Sequence, residues 1–188
     1  SKKPTHKTLQ VSLVGYLPAI IPSYGDASEK FCQLEAGYML PLLEKSLAEK
    51  GYGLVNNRAQ SLIPGLDKKD NILLGQYEII EQDRNLAFNN LSKYILLRKN
   101  QTNDDLAYQL YHWQDGALFL VKEFKPDNSF FNQKGDNGSI IANSRAFLLF
   151  SEEKKFADYC AIGYQSQLFM ELSSFNNIGS CALGYLPL

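Results

Sequence analysis

Phe31-Cys32-Gln33-Leu34-Glu35-Ala36-Gly37-Tyr38-Met39 is the stretch on which the fold turns, because its Gly-Tyr pair returns far along the chain as Gly163-Tyr164. Sixteen residues after each of these glycines stands another, Gly53 in the first case and Gly179 in the second. Leu42 and Leu168 coincide at the same offset of 126. A run of strand composition precedes each segment, residues 10–15 before the first and 147–150 before the second. Strand, helix, glycine and strand therefore recur in one order. Each unit carries an apolar helix face that it cannot cover alone, so the two helices are expected to pack together as a pseudo-symmetric pair.

Outward from these helices, the first is expected to span about 26–50. Asp26 and Glu29 stand where the macrodipole favours acid, Leu34, Tyr38, Leu42 and Leu43 share one face, and Gly51 supplies the C-terminal turn. Pro41 inside it predicts a kink or a division at Leu40. The second helix is expected over 156–174. Residues 8–16 (TLQVSLVGY) read as a buried strand, and 17–25, with Pro18, Pro22 and Gly25, as no single regular element. Further strands are expected at 52–56, 71–80 (interrupted by Gly75), 94–99, 106–113, 117–124, 146–150 and 179–183. Asp115-Gly116 between two such runs signals a hairpin. Residues 62–67 read as a turn, 82–90 as a polar connection and 126–139 as a mobile surface loop.

Composition narrows the function classes. The 19 Lys and Arg nearly balance the 20 Asp and Glu, leaving a net charge of −1. That balance argues against electrostatic capture of nucleic acid or of an anionic membrane. Cys32, Cys160 and Cys181 cannot all pair and form no CxxC, so they read as free thiols in a reducing, cytoplasmic compartment. His6 and His112 are far apart and no HExxH is present, so no metal site is expected. No 18-residue apolar run exists to form a transmembrane helix, and the basic start leads into no signal-type apolar region. The apolar ending Gly184-Tyr185-Leu186-Pro187-Leu188 reads as a segment cut from a longer polypeptide.

The two Gly-Tyr segments, with Gly163-Tyr164-Gln165-Ser166-Gln167-Leu168-Phe169-Met170-Glu171-Leu172 running on to Ile178-Gly179-Ser180-Cys181-Ala182-Leu183-Gly184, resemble the helices of nitroreductase-like FMN oxidase domains, the azoline oxidases of non-ribosomal peptide and polyketide synthetases. Ala19-Ile20-Ile21-Pro22-Ser23-Tyr24-Gly25 resembles the loop before the first helix of those domains, and 94–98 with 110–113 their strand-plus-hairpin insertion. The resemblance implies an α+β fold, with a central antiparallel sheet flanked by packed helices and a homodimer or an internal pseudo-dimer. It implies one domain over 1–188, made of repeat 1 (8–58) and repeat 2 (91–188). It implies FMN at the interface of the two copies, and oxidation of a carrier-bound thiazoline or oxazoline to the azole among neighbouring synthase domains.

On that resemblance Gly184, with Leu183 before it, matches the position where backbone approaches the flavin; a turn glycine after a strand is the plainer reading. Ser144 and Arg145 stand before the second core strand, where the arginine suits a phosphate or a surface salt bridge. Lys93-Tyr94 matches the proton-accepting pair of azoline oxidases, although a lysine at the start of an exposed strand reads more readily as a solvated one. Tyr111 and Trp113 are expected on one sheet face and His112 on the other. Cys181 reads as a small buried hydrophobe. A different class of function is a flavin-free nitroreductase-like scaffold or docking domain, favoured by the lack of an arginine-rich phosphate-binding segment before the first strand.

Overall fold

The computed structural model describes residues 9–57, 63–81, 84, 86, 88, 91–99, 107–125, 139–140, 143–151 and 158–181. It is a mixed α+β structure with two antiparallel sheets and one long helix. The chain divides into two compact units, the first drawn from Ser1–Asn89 and Asp158–Ser180, the second from Asn90–Ala157 and Cys181–Leu188.

In the first unit β1 (Leu9–Tyr16) and β2 (Gly53–Asn56) flank β3 (Asn71–Ile80), both antiparallel to it. Gly75, which interrupts β3 in the sequence, sits at a bulge. Leu13 lies opposite Gly75 and Val14 opposite Leu73, so Leu74 is the extra residue and packs against the core. After β1 the chain forms α1 (Leu17–Tyr24), where no single element was expected from its prolines. Pro18 occupies the first turn, where an N–H has no intrahelical partner, so only Pro22 costs a bond. The entry is tied by the Leu17 N–H to the Asp70 carbonyl at 2.9 Å. The exit is tied by Tyr24 stacked on Phe31, ring centroids 4.1 Å apart.

The long helix α2 (Ser28–Ala48) runs unbroken through Pro41, so of the kink or division expected there the division does not occur. Leu40, Pro41 and Glu44 are all buried, and packing there outweighs the one hydrogen bond that Pro41 forfeits. The buried rows are Ser28-Cys32-Ala36-Leu40-Glu44 and Gly37-Pro41, together with Leu34. Leu42, expected on the core face, is 49 % exposed. Gly51 closes the helix as anticipated. At φ 77° it donates to Ala48 O while Tyr52 donates to Leu47 O, the paired bonds of a Schellman turn.

The last described helix, α3 (Tyr159–Phe175), opens on Asp158, whose carboxylate accepts the Ala161 N–H at 3.0 Å. The helices α2 and α3 pack on each other, as the repeat led one to expect, and among the described elements no other pair is as extensively packed. They meet at the two repeat glycines. A Cβ on Gly37 would strike the Cys160 carbonyl and come within 2.8 Å of Gly163 Cα. A Cβ on Gly163 would strike the Leu34 carbonyl and come within 3.0 Å of Gly37 Cα. Around this crossing Ala36, Leu40, Leu54, Tyr77, Leu86, Cys160 and Tyr164 form the buried core. Leu86 belongs to the stretch read from sequence as a polar connection; it is 7 % exposed and part of that core.

The second unit is a four-stranded sheet of order β6-β5-β4-β7, every neighbour antiparallel. Its strands are β4 (Ser92–Arg98), β5 (Tyr108–Gln114), β6 (Ala117–Phe124) and β7 (Ala146–Ser151). Asp115 (φ 49°) and Gly116 (φ 79°) make the two-residue turn that Asp-Gly announces. Leu96, Tyr108 and Phe147 are its buried cluster. The resemblance implies one central sheet; the described strands form two. Residues 179–181 lie in no strand, because Asn176, Asn177 and Ile178 bond back to the end of α3 and leave the chain exposed beyond it. The loop expected at 126–139 lies outside the described residues except for Ser139, as do 182–188.

Candidate functional site

Within the first unit the α2–α3 packing surrounds a small polar centre. Glu44 is only 6 % exposed. Its Oε2 accepts the Tyr164 hydroxyl proton at 2.6 Å, and its Oε1 accepts the Leu86 N–H. The Tyr164 ring packs on Phe88 with centroids 4.8 Å apart. Beside it the Tyr77 hydroxyl lies 4.0 Å from Cys160 Sγ. Burial pushes the Cys160 thiol up to about 11. Burial, and then the bond to Glu44, raises the Tyr164 hydroxyl above the usual phenol range; burial, and then Cys160, does the same to Tyr77. These groups hold their protons near neutrality. The thiol is no nucleophile there, and the carboxylate ties α2, α3 and the Leu86 backbone together.

Sequence reasoning missed this centre. Its one legible signal was Glu44 itself, a lone carboxylate at the end of the four-residue spacing Ser28-Cys32-Ala36-Leu40. The donor from Leu86 is a backbone group, which no side-chain pattern announces.

The residues that sequence did single out lie in the second unit or outside the described residues. Lys93 and Tyr94 are neighbours on β4 and therefore face opposite sides of the sheet. The half-buried Lys93 carries its ammonium 5.6 Å from the Trp113 ring centroid, while Tyr94 packs on His112 at 5.0 Å. This is the alternation expected of Trp113 and His112. Ser144 Oγ donates to the Ile140 carbonyl at 2.7 Å, and the exposed Arg145 accepts the Arg98 N–H on its own carbonyl at 2.9 Å. In the β4–β7 ladder Lys93 pairs with Phe150, whereas Arg145 lies beyond the Leu97–Ala146 pair. The two sets thus stand at opposite ends of the ladder, roughly 16 Å apart along it.

Gly184 and Leu183 lie outside the described residues. Of the groups assigned to FMN, Ser144 and the exposed Arg145 fall among the described residues, and an arginine guanidinium is chemically able to pair with a phosphate. Cys181, expected to be buried, is exposed; Cys32 and Cys160 are buried, and none of the three forms a disulfide.

Among the described residues, no group of three or more His, Cys, Asp or Glu side chains is placed to hold a metal ion, and no helix is long and apolar enough to cross a membrane. No family model, curated protein or solved structure matches the chain.

Proposed function

We propose that the chain is a nitroreductase-like, FMN-dependent oxidase module that converts a carrier-bound thiazoline or oxazoline to the azole in a cytoplasmic peptide or polyketide assembly line. The observation that carries this reading is the reciprocal approach of Gly37 and Gly163, each against the other's helix backbone. Leu34 and Cys160, the carbonyls struck in turn, stand at the same offset as the two glycines. On this reading repeat 1 and repeat 2 are copies of one unit joined as an internal pseudo-dimer. Bound FMN supplies the acceptor for the hydride that leaves the azoline ring. Arg145, with Ser144 beside it, would hold the phosphate, and Gly184 with Leu183 would be the residues assigned to the ring system. Lys93 and Tyr94 face opposite sides of β4, so one of them takes the ring-carbon proton and the other packs the sheet.

A flavin-free scaffold of the same fold is the second reading. It is favoured by the α2–α3 joint, where backbone meets backbone at the two glycines and Glu44 has both carboxylate oxygens engaged by protein donors. One experiment separates the two. The purified chain is incubated with excess FMN, desalted and scanned. Retained flavin absorbance at about one equivalent supports the oxidase. Colourless protein with an intact circular-dichroism spectrum removes the oxidase and leaves the scaffold.

A further inference from the structure

We propose that Glu44 is a proton-operated clasp on the backbone of Leu86: ionised, it holds that backbone against α2 and α3, and protonated, it loosens the hold. Glu44 is buried, and both of its oxygens are in use. Oε1 accepts the Leu86 N–H and Oε2 accepts the Tyr164 hydroxyl proton. As a carboxylate the group therefore meets two donors with two acceptors. A proton taken up from solvent adds a third hydrogen to the same cluster. On Oε1 it would face the Leu86 N–H, donor against donor. On Oε2 it would turn the Tyr164 hydroxyl into an acceptor and leave the Leu86 N–H on a neutral carbonyl in place of a charged partner. In either position the bond from Leu86 is the one that weakens, because a backbone N–H, unlike a hydroxyl, cannot turn round and accept.

The surroundings leave the switch to Glu44 alone. On α2 the positions three and four residues away are Leu40, Pro41, Leu47 and Ala48, none of them ionisable. From α3 come Tyr164 and Cys160, and from β3 comes Tyr77, whose hydroxyl lies beside Cys160 and senses the Glu44 charge. These three groups keep their protons near neutrality and stay neutral on acidification. Glu78, next to Tyr77, alternates to the other face of the sheet. β2 has no titratable residue, and Tyr16 and Tyr24 on β1 and α1 are exposed. On α3, Asp158 caps the helix and Glu171 accepts from Gln167. Arg84 is exposed, and its carbonyl accepts the Leu54 N–H at 3.2 Å. Among the described residues no cation pairs with Glu44. The contact of Gly37 with Gly163 uses no ionisable group, so the helix pair stays closed while Leu86 is released. The device belongs to the first unit and does not depend on flavin binding.

The test is residue-resolved hydrogen exchange on the full chain from about pH 7 down to about pH 4, the range over which carboxylates take up protons, each rate being divided by the intrinsic rate at that pH. The Leu86 amide is expected to lose protection by about three- to tenfold on acidification, while the α2 and α3 amides at the glycine contact keep theirs. Glu44→Gln carries the hydrogens of the protonated acid at every pH. It should show the lowered Leu86 protection already at neutrality and no further fall. Tyr164→Phe removes a donor to the carboxylate and should move the fall to higher pH; it carries the test on its own if Glu44→Gln does not fold. A Leu86 amide that keeps its protection until all slow amides are lost together, a fall that persists in Glu44→Gln, or a fall that Tyr164→Phe leaves in place would each overturn the proposal.

Discussion

Gly37 and Gly163 are the residues least open to change, because a methyl group on either meets backbone that no rotamer can move aside. Gly37→Ala is expected to cost about 2–3 kcal/mol or more by wedging the helices apart, read as a lower urea midpoint. Gly179→Ala, at a glycine with open space around it, should stay within about 0.5 kcal/mol. Tyr164→Phe leaves one oxygen of a buried carboxylate without its donor and should cost about 1–3 kcal/mol; Glu44→Ala should show non-additivity with it in a double-mutant cycle. Cys160 gives the pH dependence. Its folded pKa, about 11, lies above the ordinary value of 9.0 because burial disfavours the thiolate. Above pH 9 the unfolded chain releases the proton first, so the stabilisation is complete below pH 9 and is lost as pH rises through 11. The urea midpoint should fall across that window, and fall less in Cys160→Ala. A steeper fall in the alanine variant would mean that Cys160 is not buried as described. The glycine contact was legible as a repeat in the sequence. The Glu44 tie was not, since half of it is a backbone donor from Leu86, in a stretch without periodicity.

At the scale of elements, the hairpin was the most legible part and offers the sharpest test. Asp115 and Gly116 both take positive φ, which Asp-Gly tolerates and most pairs do not. Gly116→Ala should cost about 1–2 kcal/mol, and Asp115→Asn should be neutral within about 0.5 kcal/mol, both read by thermal unfolding. The proline segments were less legible. Pro18 and Pro22 argue against a helix by propensity, yet α1 forms, because Pro18 falls in the first turn and Phe31 stacks on Tyr24 at its end. Pro41 argues for a kink or a break, and α2 does not break, because Leu40 and Glu44 on either side are buried in the core. In both places tertiary packing decided what local propensity left open. Leu42 shows the same limit from the other side. Its spacing suits an apolar face, but the buried face of α2 runs through Cys32, Ala36, Gly37, Leu40 and Glu44, with Gly37 at the close approach of α3, and Leu42 falls outside it. The assigned residues Lys93, Tyr94, Ser144 and Arg145 could be found by composition, but their separation along β4 and β7 is set by strand register, which single residues do not encode.

At the scale of the whole molecule, the chain leaves the first unit after β3, builds the second from β4 to β7, and returns with α3 to complete the first. Leu40 and Leu96, both fully buried, belong to different clusters: Leu40 to the one around α2, α3 and the first sheet, Leu96 to the one within the second sheet. Truncation of either to alanine should cost about 2–5 kcal/mol of the unit that holds it. If each unit has its own cooperative core, the loss should be local. In native-state hydrogen exchange, Leu96→Ala is expected to lower protection in β4, β5 and β7 and leave α2 and α3 as they were. Leu40→Ala should lower α2, α3, β2 and β3 and leave β4 and β5 unchanged. A uniform drop over all slow amides in either variant would show that the two units unfold as one. Repeat 1 and repeat 2 would then be bound into a single cooperative domain, as the internal pseudo-dimer requires. A local drop would mean that the helix joint at Gly37 and Gly163 stabilises only the first unit, and that strand β7, which the proposed repeat matches with β1, answers to the second.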